Sequence, residues 1–458
     1  MQIIDRLAPS PTGFMHIGTA KLALYNWLFA RQNNGKFALR IEDTDRTQGR
    51  YFPEAAQAIY DELNWLGLAW DELVPSQFAR MSRHAEIARE LLARGAAYEC
   101  FMGPEETEKL RQEARRTGLP LRSPYRDPGH PRPEGVKPAI RLKMPLDGST
   151  VFDDIIQGRI SIANETLEDP VILRGDGTPT YNLSAAADDH DMGVSHVIRG
   201  ADHINNTPKQ IRIYLAMGWD IPAFAHAPLI LGMDGSKMSK RHGGTTTAEY
   251  RAAGYLPEAL LNFLIRLGWS HGNDEIFSTG DMLAMWRLED SLKASSKFDP
   301  KKLLELNAIH IRRADDSRLA ELLSPFMGDI SPGDAERLRR GIPLMKERVK
   351  TLVEMRDMGQ VFLVDGRKER PIDDKAAAAL ANLKPDGIES IDWNAAAINE
   401  WIKARAADLG LKTGQFAAAA RAAIARSLIS PPLAETMEII GREESMKRIS
   451  LCLGGAPL

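Results

Sequence analysis

The strongest constraint on this chain is an alternation that starts, stops and resumes. In residues 1 to about 95, short β-rich runs alternate with helical periods: QIIDRLA, then HIGTAKLALYNWLFARQ, then KFALRI, then PEAAQAIYDELNWLGL with Gly67 near its stop. Parallel strands need long crossovers, so this rhythm predicts a parallel α/β sheet. Residues 96 to about 190 interrupt it with proline, glycine and arginine, and residues 109 to 143 carry ten Lys/Arg against three Asp/Glu. The rhythm resumes over 194 to 241, with SHVIRG and APLILG as strands and NTPKQIRIYLAMG as a helix between them. Thr207, Pro208 and Gln210 there read as N-cap, first-turn proline and capping box, and Gly218 as the stop. From about 250 onward nearly every periodic segment is helical, for instance LPEALLNFLIRLG. In DWNAAAINEWIKARAADLG, Ile398, Trp401, Ile402 and Leu409 share a face, with Asp392 expected as cap and Gly410 as stop.

A length of 458 residues with 43% hydrophobic composition is material for roughly two to four domains. With 59 basic against 62 acidic residues the net charge is −3, so a polyanionic partner must be met by local basic patches. The cysteines, Cys100 and Cys452, are too few for a disulfide framework or a CxxC metal site and fit a reducing cytoplasmic setting. MQIIDRLAPS lacks a charged and then apolar leader, and FAAAARAAIARSL is cut by Arg421 and Arg426, so neither a signal peptide nor a membrane span is expected.

Chemistry concentrates at two junctions. RLAPSPTGFMHIGTAK carries His16 and Gly18 from the first strand into the first helix. Ligands of open parallel sheets sit beyond the carboxyl ends of the strands, where a helix start offers N–H groups to phosphates. A histidine there can donate to a phosphate oxygen, and Gly18 lets a nucleotide approach the backbone. A capping histidine beside a packing glycine explains the turn equally well. GMDGSKMSKRHGG places Lys237, Lys240 and Arg241 in a glycine-rich loop, suited to the charge developing on a leaving pyrophosphate. A solvated basic loop is the plain alternative.

HIG after the first strand and KMSKR after the last together resemble the two signatures of class I aminoacyl-tRNA synthetases. Within that class RLAPSPTGFMHIGTAK, LRIEDTDRT, DGTPTYNLSAAADDHDMGVSHVIRGADHINNTPKQ and KMSKRHG resemble the glutamyl-tRNA synthetases. The resemblance implies a multidomain α/β plus all-α fold. A Rossmann-type catalytic domain (1–95 and 191–250) holds an inserted acceptor-stem domain (96–190), followed by a stem-contact region (251–310) and two helical anticodon-binding domains (311–370, 371–458). It implies ligation of L-glutamate to tRNA(Glu) through a glutamyl-adenylate, with ATP, Mg²⁺ arriving with the nucleotide, and a monomeric enzyme. His16, Lys237 and Lys240 would be catalytic, and His16, Gly18 and Lys240 would meet ATP. Arg6, Ser10, Glu42, Tyr181 and Arg199 would contact glutamate. The two arginines end predicted strands, where a guanidinium fork can hold a carboxylate. For Arg6 the plain alternative is a strand-end ion pair with Asp5 or a neighbour.

The acidic run Glu42, Asp43, Asp45 reads as one ligand plus capping and loop carboxylates, because no further metal-ligand spacing supports a cage. Where relatives often have RGEDH this chain has RGADH, so Ala201 carries no assigned role, while Asp202 and His203 remain candidates for ribose or adenine. Where many bacterial relatives carry Cys-x-Cys for structural zinc, this chain has YECFM, with Cys100 and His130 the candidate ligands in residues 96 to 145, and no zinc is expected. GIPLMKERVKTLVEM predicts one helix with Leu344, Leu352 and Met355 in a row and Arg348 among them. The resemblance associates an arginine there with choosing cytosine over guanine, hence tRNA(Glu) over tRNA(Gln). A snorkelling arginine at the stripe's edge explains it as well. The alternative within the family is a paralog that charges tRNA(Gln) with glutamate for later amidation, and two other classes compete with it. An adenylating nucleotidyltransferase leaves the basic insertion and the helical half unexplained, and a non-catalytic tRNA-binding paralog would be expected to lose His16, Lys237 or Lys240.

Overall fold

The computed structural model describes residues 2–44, 53–238, 244–365, 372 and 374–454. They form two compact units, Met1–Tyr250 with Leu260–Asp299, and Arg251–Ala259 with Pro300–Leu458. In the first, β1 (Ile4–Leu7), α1 (Ile17–Gln32), β2 (Lys36–Arg40), α2 (Pro53–Leu66) and β3 (Glu72–Val74) follow the predicted alternation. The three strands run parallel in the order β1-β2-β3. Helix α1 buries residues on every side, among them Ile17, Lys21, Leu24, Tyr25 and Leu28, as an apolar crossover wedged into a core must. Gly35 then turns the chain tightly: a Cβ there would stand 2.6 Å from the Ile3 carbonyl oxygen.

The chain continues through α3 (Met81–Ala93), β4 (Ala97–Cys100), α4 (Pro104–Thr117) and β5 (Ala139–Leu142). Then come β6 (Ser149–Asp154), β7 (Gly158–Ala163), β8 (Val171–Leu173) and α5 (Tyr181–Asp191). β9 (His196–Gly200), α6 (Thr207–Met217) and β10 (Ala223–Ala227) complete the set. Residues 96–190, read from sequence as one insertion, divide between two sheets. β4, β5 and β8 make an antiparallel sheet of their own, whereas β6 and β7 extend the order β7-β6-β10-β9. Hydrogen bonds between Ile4 and Ser195 join this second sheet to the first. Ser195 N–H donates to the Ile4 oxygen at 2.9 Å, and Ile4 N–H donates to Ser195 Oγ at 2.9 Å. The sequence thus doubles back at β1 and β9, the switch point beside which open α/β sheets hold their ligands.

Three local expectations are corrected. The sheet strand before the lysine loop is AFAHA (β10), and APLILG supplies only the short pair Ile230–Leu231 against Ser296–Lys297. Thr207 does not cap α6, which starts after Asn206 without a side-chain cap, while Gly218 closes it at φ +73° as expected. The helix from Ala395 is capped by Asn394, which accepts from Ala397 N–H, and not by Asp392.

The second unit is helical. Leu319, Leu338, Ile342, Phe362, Trp401 and Phe416 lie in one core cluster, and Gly341 leaves the space that the Phe362 ring fills. Arg448 is buried within it, donating to Glu444 Oε1 at 2.6 Å and to the carbonyls of Val361, Leu363 and Ile424. GIPLMKERVKTLVEM is not one helix. Pro332–Met345 ends before Arg348, and Thr351 caps a new helix, Leu352–Gly359, by accepting from Glu354 N–H at 3.1 Å. Arg348 therefore lies exposed in the turn between them and not in an apolar row. No helix among the described residues is long and apolar enough to cross a membrane.

Candidate active site

A cavity of about 450 Å³ opens at the carboxyl ends of β1 and β9. Arg6, Ser10, His16, Gly18, Tyr181, Arg199 and Lys237 line it, which brings seven of the sequence-predicted residues together. Glu42 lines an adjoining pocket of about 250 Å³ that also touches Ser10 and Tyr181. Lys240, Arg241 and Asp45 lie outside the described residues. Arg348 belongs to the helical unit, where Arg421's own burial first, and then the charge of Arg348, lower the affinity of Arg421 for its proton.

His16 both caps and faces the cavity. Its Nδ1 accepts Gly18 N–H at 3.0 Å, so the neutral ring carries its proton on Nε2. Burial, then the nearby Lys237, hold it below the usual histidine range. A Cβ on Gly18 would stand 3.2 Å from that same Nδ1. The capping reading and the donor reading are thus one arrangement: the cap fixes the tautomer that leaves Nε2–H as donor.

The two arginines that end β1 and β9 sit in opposite electrostatic settings. Arg6 is forked by Asp189, Nε to Oδ1 at 2.9 Å and Nη2 to Oδ2 at 3.2 Å, and not by Asp5. Asp189 also takes Arg40 Nη1 at 2.6 Å, and Arg40 reaches Glu42 Oε1 at 3.0 Å. Burial alone would raise Asp189, but Arg40 and Arg6 pull it down to about 2. Burial wins at Glu42, which is raised despite Arg40. Arg199 is 6% exposed, yet its hydrogen-bond partners among the described residues are all uncharged. At its back, Nε donates to His226 Nε2 at 3.1 Å, Nη1 to Gln210 Oε1 at 2.8 Å and Nη2 to Thr207 Oγ1 at 2.8 Å. Towards the cavity-lining residues, Nη1 to Tyr181 Oη and Nη2 to the His203 carbonyl are both stretched to 3.5 Å. Thr207 already has helical backbone angles (φ −56°, ψ −46°) and so cannot be the N-cap, and Arg199 takes the oxygens of both Thr207 and Gln210.

The other candidates find definite places. Asp202 and His203 line the cavity, and Asp202 Oδ2 accepts from Lys237 Nζ at 2.9 Å. Burial and Arg199 push His203 down to about 4. Asp43 accepts from Ser76 Oγ and Phe78 N–H. No group of three or more His, Cys, Asp or Glu among the described residues could hold a metal ion. Cys100 is buried against Ser123 Oγ and Arg141 Nε, both at 3.3 Å.

Sequence reasoning missed Arg40, Asp189, His226 and Lys21. Asp189 had a signal, since two adjacent acids in the alanine-rich run AAADDHD must be paired if the helix is buried. Lys21 lines the cavity floor with Nζ donating to the carbonyls of Pro228 at 3.1 Å and Leu267 at 3.4 Å, and burial drops it to about 8.

Comparison with known proteins is consistent along the whole chain. Residues 2–305 match the family model of class I tRNA synthetases (E and Q), catalytic domain, and residues 318–453 match an anticodon binding domain. Glutamate–tRNA ligase 2 of Rhodospirillum rubrum is 46% identical over 464 residues, covering 98% of each chain. The protein of the same name from a Chelativorans species is 48% identical over 470 residues, again covering 98% of each. Among solved structures, a glutamate tRNA ligase from Elizabethkingia meningosepticum in complex with its amino acid matches with TM-score 0.82 at 32% identity, over 99% of each chain.

Proposed function

The chain belongs to the class I tRNA synthetases of the E and Q type, and from that premise we propose how its residues ligate L-glutamate to tRNA at the expense of ATP. The glutamate α-carboxylate attacks the α-phosphorus of ATP, pyrophosphate leaves, and the activated glutamyl group passes to the terminal ribose of tRNA with release of AMP. The protein's work is positioning and electrostatic stabilisation, with no covalent nucleophile needed.

The observation that carries this reading is the setting of Arg199. Its three short bonds go to neutral acceptors and fix the guanidinium, while the two stretched N–H groups can turn to a ligand carboxylate. Arg6 already has its counter-charge in Asp189, so Arg199 supplies the uncompensated positive charge for the side-chain carboxylate. Arg6, Ser10 and Tyr181 complete that pocket, and Glu42, beside Ser10, takes the α-ammonium. Gly18 admits the nucleotide and His16 donates Nε2–H to its phosphates. Lys237 leaves Asp202 to join Lys240 on the departing pyrophosphate. Mg²⁺ arrives on the nucleotide.

The basic segment within 96–190 takes the acceptor stem, 251–310 the adjoining stem, and the helical regions 311–370 and 371–458 the anticodon. Arg348, exposed in its turn, selects tRNA(Glu) over tRNA(Gln) by donating to an unstacked cytosine. The enzyme works as a cytoplasmic monomer. Charging of tRNA with glutamate by the purified protein tests the reading. Arg199→Ala should raise the glutamate KM by about 30-fold or more while leaving the ATP KM near wild type. An unchanged glutamate KM refutes the pocket.

A further inference from the structure

Behind Arg199 lies a buried polar row that crosses three neighbouring parallel strands. His226 of β10 is the register partner of Arg199 of β9, and Asp154 ends β6 on the other side. His226 Nδ1 lies 2.6 Å from Asp154 Oδ2, and its Nε2 receives Arg199 Nε–H at 3.1 Å, with Thr207 Oγ1 also at 3.2 Å. His226 has no exposed surface, and Asp154 is 3% exposed. We propose that His226, held by Asp154 in the tautomer protonated at Nδ1, is the positioning residue that aims Arg199 at the substrate carboxylate while leaving its charge uncompensated. This rests on the reading of Arg199 as glutamate receptor.

The orientation is forced by hydrogen-bond bookkeeping. Arg199 Nε–H can only donate, so the ring nitrogen facing it must accept. In a neutral imidazole the proton then sits on Nδ1, where Asp154 Oδ2 accepts it. The charged and titratable groups acting on the ring are Asp154 from β6, Arg199 and His203 at and beyond the end of β9, and Arg6 from β1. Burial first, then the two arginines against Asp154, hold His226 below the ordinary histidine range, so the ring stays neutral at pH 7. A carboxylate in this place would hold Arg199 equally well but cancel the charge that distinguishes a carboxylate from an amide side chain. A neutral acceptor gives the fixed geometry without that cancellation.

Asp154 offers a sharp perturbation because its other oxygen is committed. Oδ1 accepts three backbone N–H groups, from Ile156 at 3.0 Å, Gln157 at 2.8 Å and His226 at 3.2 Å. In Asp154→Asn the amide oxygen must stay there, so the amide NH₂ faces Nδ1. The ring is driven to the other tautomer, and Nε2–H then confronts Arg199 Nε–H. The variant removes no side-chain volume, yet it turns an acceptor into a donor against the guanidinium.

Two measurements test this. The first uses the unaltered protein labelled with ¹⁵N-histidine, with His226 assigned by its loss in His226→Gln. Nε2 should give the shift and missing proton coupling of an unprotonated nitrogen at neutral pH, and a protonated Nε2 overturns the inference. The second is steady-state tRNA charging. Asp154→Asn should raise the glutamate KM by about 10-fold or more, with the ATP KM within about 2-fold, and should narrow the preference for glutamate over glutamine. His226→Gln, whose Oε1 can accept from Arg199 while its NH₂ donates to Asp154, should raise the glutamate KM less than Asp154→Asn does. Parallel changes in both KM values, or a Gln variant as impaired as the Asn variant, overturn it. Arg199→Ala separates the two levels. If it raises the glutamate KM and Asp154→Asn does not, the positioning role falls alone. If neither does, the glutamate pocket itself falls.

Discussion

Replacing Asp189 by asparagine should unsettle the catalytic unit more than any single change to the arginines it holds. Asp189 is 2% exposed and takes three hydrogen bonds from two buried guanidinium groups. Its pKa falls from the ordinary 3.8 to about 2. A carboxyl lowered on folding contributes stability that is complete above its unfolded pKa and is lost as the pH falls through its folded one. At pH 7 the whole amount is therefore present, about 2.5 kcal/mol at 1.36 kcal/mol per pH unit. Breaking a buried pair so that cations are left without their counter-charge costs about 3 to 5 kcal/mol, so about 3 kcal/mol is expected. For a unit of this size that corresponds to a drop of about 6 to 12 °C in melting temperature. Differential scanning calorimetry of full-length Asp189→Asn at pH 7 and a fixed scan rate checks it, with Arg6→Met beside it as the milder change, since Asp189 then keeps Arg40. A catalytic-unit transition within about 2 °C of wild type would show that the Arg6–Asp189–Arg40 row does not carry the stability assigned to it.

Burial of Lys21 makes a pH prediction of the same sign in an alkaline window. Its folded pKa is about 8, so between about 8 and 10 the unfolded chain holds a proton that the folded one has lost, and stability should rise with pH. Wild type should gain about 2 kcal/mol relative to Lys21→Met between pH 7.5 and 9.5, read from denaturant titrations; a flat difference refutes it. Arg348→Gln should lower the ratio of tRNA(Glu) to tRNA(Gln) charging, and an unchanged ratio on purified transcripts removes Arg348 as discriminator. The purified protein should carry less than stoichiometric zinc by elemental analysis, and one tightly held zinc per chain would overturn that expectation.

The alternation of β-runs and helical periods was enough to place β1, α1, β2 and α6 within a residue or two, because apolar spacing and glycine stops are local signals. The site's surroundings were less legible. Thr207 and Gln210 have the spacing of a capping box, but that spacing cannot reveal an arginine eight and eleven residues upstream competing for the same oxygens. GIPLMKERVKTLVEM keeps helical spacing across a break, because apolar spacing does not register that one helix ends at Met345 and Thr351 caps a fresh one. Lone polar residues in apolar runs, such as His226 in AFAHA, announce that a partner exists without naming it. Asp154 and Arg199 are found only once β6, β10 and β9 lie side by side.

The seam between β1 and β9 also sets a timetable. Ile4 and Ser195 are 191 residues apart in the chain, and Arg6 and Asp189 are 183 apart. At roughly 5 to 20 residues per second of synthesis, Arg6 emerges about 10 to 40 s before its counter-charge. During that interval the β1-α1-β2 segment can form its local contacts, and Arg40 can meet Glu42, yet Arg6 lacks the carboxylate it pairs with in the finished fold. The ligand cavity is consequently among the last parts of the nascent catalytic unit to acquire its final shape. Conditions that slow translation between residues 40 and 190 would prolong the stage at which this end of the sheet is open to mispairing.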